Sequence, residues 1–395
     1  VSRSLASALL LIAVTAIVLP PGYGAYIGAY TALVAAILAF LVFGWSERST
    51  FAHPTALAIV VAIGLVGLAV PFVYRSSQDL LAPVLLLPML STIGLGLLAR
   101  PARWVPSASL FATICLAGSF IAILGGAYEY FWLGLYRPGL GNNPIHYASL
   151  AAMAGCLALV GVISGTTARR YLFLLGPVFG LGCAVIADSR GPMLSAVAMS
   201  GVGIVTLTIW LWRERLFRVA VLVCAGLAIG VFAYLVGTGN ARVAGIIQSG
   251  LDIFRFTGGS DDIRAALYAS AIEILRNSPL FGVGLGQILD TAETLYPALA
   301  GGMEFDNLHA DWANFAAMAG VLGLLAWLLL LAAPLLLLRD PRARKDRPIV
   351  LGAVLLSTGQ LVLGVSNATF GILPQTVIYA VALGYFLVRA RRLDL

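Results

Sequence analysis

Charge is what this chain has least of. Only 10% of its 395 residues are aspartate, glutamate, lysine or arginine, against about a quarter in ordinary soluble proteins, and that shortage excludes a soluble globular domain. Cysteine is rarer still: Cys115, Cys156, Cys183 and Cys224 all fall inside apolar runs, where they act as small apolar residues. Neither a disulfide framework nor zinc-type spacing is present. Internal repeats and low-complexity tracts are also missing. The apolar segments do not divide into two matching halves, which weighs against the repeat-built secondary transporters.

What is present is apolar sequence, 61% of the chain, with a mean hydropathy of +0.98. This is the composition of an all-α polytopic membrane protein. Runs of about 17–25 apolar residues predict about twelve transmembrane helices, near 5–20, 25–43, 55–72, 80–99, 105–126, 146–164, 171–187, 192–211, 217–236, 312–338, 349–365 and 371–388. The first follows a single arginine and lacks a small-residue cleavage site, so it reads as a retained helix. The organisation expected is nine helices in 1–236, a polar loop with an amphipathic helix in 237–308, and three more helices in 309–395.

Lysine and arginine near span ends stay cytoplasmic. With the N-terminus inside, alternate connections divide the basic residues about 17 to 7. Both termini are then cytoplasmic and the 237–308 loop faces outward. The same bias accounts for the net charge of +7, so no nucleic-acid partner is implied.

The outward basic residues need another account. Arg190 stands in Ala187-Asp188-Ser189-Arg190-Gly191-Pro192, a turn that opens the next span, with Pro192 suited to a first helical turn. A helix start favours an anion, and an arginine there opposes the dipole unless negative charge is supplied. Asp188 is one source, as a local ion pair; a bound anion is the other. Arg264 follows Gly258-Gly259-Ser260-Asp261-Asp262, a loop ending in an N-cap, and begins an amphipathic helix that Asn277-Ser278-Pro279 stops. Ile263, Leu267, Ala271 and Ile274 form its apolar stripe, with Arg264 and Tyr268 one turn apart on an adjacent face. Such a helix either lies on the membrane surface, with Arg264 solvated or paired to Asp261, or aims a second cation at the anion of Arg190. The adjacent acids suit dipole compensation better than metal binding, because neighbouring positions point different ways on a helix.

Arg137 belongs to a turn-rich outward segment, Tyr136-Arg137-Pro138-Gly139-Leu140-Gly141-Asn142-Asn143-Pro144. It reads either as a connector or as a sugar or phosphate contact through Arg137, Asn142 and Asn143. His309, in Asn307-Leu308-His309-Ala310-Asp311-Trp312, is either an interfacial histidine or the one group suited to exchange a proton near neutral pH. No second histidine or paired carboxylate at ligand spacing accompanies it, so no metal is expected. Gly320 lies three turns on, nearly on the same face, where it and Gly323 would let a neighbouring helix pack closely.

In order and in side, these residues resemble the O-antigen ligases and their polymerase relatives. Arg190 to Leu194 fits the ligase-type Arg-x3-Leu pattern, and His309 to Gly320 fits His-x10-Gly. Asn277-Ser-Pro-Leu-Phe-Gly-Val-Gly-Leu-Gly286 looks like the family segment before the histidine, and Arg137 with Gly-Asn-Asn-Pro144 like an earlier outward loop. The likeness covers roughly 130–340. One departure is that many relatives carry an asparagine close after the histidine, where this chain has Asn314.

The resemblance implies a helical body like that of the C-type glycosyltransferases, with a large periplasmic loop. It implies an inverting, metal-independent enzyme of the bacterial inner membrane that moves a polysaccharide from undecaprenyl diphosphate to lipid A-core in lipopolysaccharide biosynthesis. No cofactor is implied. In that scheme Arg190 and Arg264 stabilise the diphosphate and His309 is the base. Arg137, Asn142, Asn143, Tyr268 and Asp311 contact substrate, Asp311 either orienting the imidazole or facing water. A polymerase that extends the lipid-linked glycan is the nearest alternative, although the 127–145 loop is short for one. A lipid or solute transporter is the alternative of another class, but ionisable residues at span midpoints are essentially absent.

Overall fold

The computed structural model describes residues 2–16, 22–165, 167–237, 260–300 and 305–393. These are helical throughout, with no strand among them. All twelve expected spans have a helix: α1 (Ser2–Thr15), α2 (Tyr23–Phe43), α3 (Pro54–Val73), α4 (Ser77–Gly96), α5 (Ala108–Trp132), α6 (Pro144–Ile163), α7 (Ala168–Ile186), α8 (Arg190–Leu211) and α9 (Arg215–Gly237), then, beyond the polar region, α12 (Asp311–Ala332), α13 (Arg347–Ser366) and α14 (Leu373–Arg392). Ten of these are long and apolar enough to cross a membrane. Between α9 and α12 lie α10 (Ser260–Asn277) and α11 (Ile288–Leu295). Two parts of the expected 237–308 loop, 238–259 and 301–304, lie outside the described residues, and with them Arg242 and Arg255.

Local chemistry sets several of the boundaries. Asn143 and Asp346 cap α6 and α13 with their side chains, accepting from Ile145 N and Ile349 N, and Pro144 and Pro348 follow in the first turn. Pro83 and Pro88 cannot donate to a helical ladder, and α4 is accordingly a chain of short α and 3₁₀ turns. The tenth expected span is shorter than its apolar run, because the helix gives way around Pro334 to a 3₁₀ turn.

Burial distinguishes the centre from the rim. In α6 and α14, 89% of the span is buried, against 33% in α8, so the first two are the central staves. Ile209, Leu41 and Ile27 instead point outward from the bundle, as surface meant for lipid tails does.

The helix ends form two contrasting groups. At one, Arg391 donates to the Gly96 carbonyl (3.0 Å), Arg392 to that of Ala99 (3.0 Å), and Arg389 pairs with Asp346 (2.7 Å). Arg170, Arg215 and Arg347 share this arginine-rich end. The other end gathers the starts of α6, α8, α12 and α14 with the 133–143, 187–189, 277–287 and 366–372 connections. It carries Arg75, Arg137, Arg190, Arg264 and Arg276.

Candidate active site at the arginine-poor end

The segment entering α12 holds His309 in an uncommon backbone state. His309 has φ +55°, a left-handed conformation for a residue other than glycine. Two asparagines hold it there: the His309 N–H donates to Asn307 Oδ1 (2.7 Å) and the Leu308 N–H to Asn314 Oδ1 (2.8 Å). Leu308 and Ala310 are fully buried while His309 is half-buried, so the turn pushes the imidazole outward between two anchors. Phe305 meets its ring edge-on at 5.8 Å.

Arg264 lies near enough to this histidine for its charge to act on the imidazole. The stripe of α10 is buried at Leu267, Ala271 and Ile274, and α10 packs on α12, so the helix rests on the protein rather than flat on a membrane. Tyr268 faces Trp312, ring centres 5.6 Å apart. Burial holds the His309 pKa below its ordinary value and the Arg264 charge lowers it further, against a smaller pull upward from Asp306. The imidazole is thereby kept neutral, the form that can accept a proton. Burial likewise raises the Tyr268 pKa, with Arg264 opposing. The side chains of Asp261 and Asp262 lie outside the described residues.

Gly320 explains the spacing that follows His309. The α12 backbone breaks at Ala319 and Gly320, where Gly320 has φ +61° and ψ −141°, a region essentially reserved for glycine. The neighbour it admits is a turn-containing strap, 278–284, rather than a second helix. Val321 N donates to Pro279 O (2.7 Å) and Val283 N to Ala317 O (2.8 Å), so the strap takes up backbone groups that the break releases. A side chain on Gly282 would lie 2.2 Å from Ala317 O. The strap continues to Asp79, a fully buried acid whose carboxylate accepts from Arg75 N, Ser76 N and Gly286 N at 2.8–3.0 Å. Phe281 stacks on Phe72 at 4.1 Å. This strap sets α10, and with it Arg264, against α12. Asp79 escaped sequence reasoning; its one signal was an acid at the mouth of an apolar span.

Asp311 takes neither of the places expected of it. It is fully buried, and its carboxylate accepts from Thr369 N (2.6 Å), Phe370 N (3.0 Å), Gln360 Nε2 (3.4 Å) and the Thr369 hydroxyl. The physical reason is that the 367–371 turn presents buried donors that need an acceptor, and Asp311 supplies one. Its own N–H donates to Asn367 O (3.2 Å). Asn367 and Ser366 in turn lie so close to Gly191 that a Cβ there would collide with both. The start of α8, carrying Arg190, is thus joined to the start of α12, carrying His309, through one buried turn.

Arg137 holds the 187–189 turn that leads into α8. Its Nε donates to Ala187 O (3.1 Å) and its Nη2 to Ser189 Oγ (3.4 Å), while Tyr136 donates to Asp188 (3.2 Å). Asn142 and Asn143 sit at the entry to α6: Asn143 Oδ1 accepts from Ile145 N, Asn142 Oδ1 from Asn143 N, and the buried Asn142 Nδ2 has no partner among the described residues. A small apolar cavity of about 30 Å³ lies elsewhere in the bundle, bordered by Ala16, Ala25, Pro374 and, deeper, Val381. Among the described residues no three histidine, cysteine or carboxylate side chains gather as a metal site.

A cation acting on a half-buried imidazole, with a second cation carried at the same end of the bundle, can hold an anion and accept a proton beside it. Residues 175–328, the stretch containing Arg190, Arg264 and His309, match the family model for O-antigen ligase. Over that stretch the chain is similar to the O-antigen ligase family. Arg137, Asn142 and Asn143 precede the match. That similarity supports an O-antigen ligase- or polymerase-type function in a multi-pass membrane protein. No curated protein matches the chain.

Proposed function

We propose that this protein is an O-antigen ligase, transferring a polysaccharide from undecaprenyl diphosphate to a sugar of lipid A-core. The observation that carries this reading is the neutral His309 beside Arg264, with Arg190 tied to the same place through Asn367 and Asp311. His309 removes the proton from the acceptor hydroxyl as its oxygen attacks the anomeric carbon. The bond from that carbon to the diphosphate breaks on the opposite face, inverting the centre and releasing undecaprenyl diphosphate. Negative charge grows on the leaving group, and guanidiniums held in a site poor in water stabilise that growth. Arg137, Asn142, Asn143 and Tyr268 contact the donor glycan and diphosphate; Asp311 supports the site from beneath. The apolar flank of the same cleft takes the prenyl chain. With the arginine-rich end cytoplasmic, the site opens on the periplasmic face of the inner membrane.

The test is transfer by purified protein from an undecaprenyl-diphosphate-linked glycan to lipid A-core, with and without EDTA. Glycan-bearing lipid A in both is the expected result. Arg190→Ala, Arg264→Ala and His309→Ala should each abolish transfer with membrane insertion intact. Growth of the lipid-linked glycan with lipid A-core untouched would make the protein a polymerase, and activity in all three variants would move the site elsewhere.

A further inference from the structure

The arginine-rich end has a pocket of its own, of about 260 Å³, lined by Thr167, Arg170, Tyr171, Glu214, Arg215 and Leu216. It lies where the turn entering α7 meets the turn between α8 and α9. The Arg170 guanidinium is fixed there, donating to Gly165 O (2.9 Å), to the Tyr171 hydroxyl (3.0 Å) and to Glu214. Glu214 is the one acid in the lining, and both Arg170 and the Tyr171 hydroxyl bond to it. Arg215 is exposed in the same lining, with Arg169 and Arg213 exposed in the two turns that form it, so positive charge outweighs Glu214.

Depth in the membrane is marked independently. The guanidinium of Arg218 lies 5.9 Å from the Trp212 ring and that of Arg347 5.5 Å from the Trp210 ring. Tryptophan at a span end beside arginine is the signature of the headgroup layer. Leu216, in the pocket lining, is 59% exposed, and Leu172, which follows the lining residue Tyr171 in the chain, is 56% exposed. A positive-inside bias accounts for arginines at this end but not for a cavity that fixes one guanidinium, exposes a second and adds an apolar rim.

We propose that this pocket binds the phosphate of an anionic phospholipid of the phosphatidylglycerol type. The phosphodiester lies between Arg170 and Arg215, and the acyl chains run down past Leu172 and Leu216. The site is separate from His309 at the opposite end and does not rest on the transferase reading.

The experiment is native mass spectrometry of the full chain in detergent, equilibrated with phosphatidylglycerol, with phosphatidylcholine, or with inorganic phosphate alone. Wild-type protein should retain phosphatidylglycerol over phosphatidylcholine. Arg170→Gln and Arg215→Gln should each weaken retention about fivefold, with Arg276→Gln, at the other end, as the unaffected control. Because Arg170 also holds Glu214, the exposed Arg215 keeps the test decisive if the Arg170 variant does not fold. Equal retention of the two lipids, or wild-type retention by Arg215→Gln, overturns the proposal. Displacement of the lipid by millimolar inorganic phosphate would assign the pocket to a free anion and overturn it as well.

Discussion

Replacing Asp311 strikes the joint beneath the site. In Asp311→Ala the Thr369 hydroxyl and the Gln360 amide can still satisfy one another, since they already hydrogen-bond. The N–H groups of Thr369 and Phe370 cannot, because both residues are buried and Asp311 is the acceptor they use. Each buried amide left without an acceptor costs about 1–3 kcal/mol, so the variant loses about 2–6 kcal/mol, a large part of a typical folding stability of about 5–15 kcal/mol. The 367–371 turn relaxes rather than bear that cost. It lies against Gly191 and accepts the Asp311 N–H through Asn367, so relaxation moves Arg190 relative to His309. A displacement of about 1 Å at a reacting centre costs on the order of 100-fold. Asp311→Asn keeps one oxygen for both amides and should lose only about 1–2 kcal/mol, with activity between the two. The assay is the initial rate of glycan transfer across pH, with a thermal melt of each variant in the same detergent. The acid limb should not move in either variant, because burial, Arg264 and Asp306 govern His309. Wild-type turnover in Asp311→Ala would refute the reasoning, and a shifted acid limb in Asp311→Asn would put this carboxylate on the imidazole.

The remaining predictions test the histidine and the strap. Burial and the Arg264 charge both disfavour the imidazolium and lower the His309 pKa, so activity that needs neutral imidazole should persist below the ordinary histidine value of about 6.5. Asp306 is the opposing charge, and Asp306→Asn should carry the acid limb further down; a limb that rises would show that another group titrates. Arg264→Gln should raise the His309 pKa, read from the pH dependence of histidine modification by diethyl pyrocarbonate. Gly320→Ala forces a glycine-only backbone state, costing about 1–3 kcal/mol, and sets a Cβ 2.5 Å from the Leu280 carbonyl carbon. The strap should lift, with faster protease cleavage in 277–286 and reduced transfer. Gly64→Ala, with nothing within 4 Å of its Cβ, should change neither.

The helices were legible because a membrane span is a composition before it is a conformation: about 20 apolar residues suffice, and neighbours add little. Counting spans puts Arg190, Arg264 and His309 on one side, whereas only the fold sets the Arg264 charge beside the imidazole. Asp311 was not legible. An acid two residues after a histidine reads as a partner for the ring or for water, and its actual donors sit 58 residues away in the chain, in a turn with no charge to betray it. Gly320 was half legible: its spacing from His309 marked a close approach, but an apolar run gives no hint that the approaching body is a strap or that the helix breaks to receive it. The glycines of 277–286 and Gly320 are therefore one feature seen from two sides. Gly282 needs room for Ala317 and Gly320 needs room for Leu280, so neither spacing can drift without the other. A motif that pairs the two stretches follows from this contact alone, whether or not any of its glycines touches a substrate.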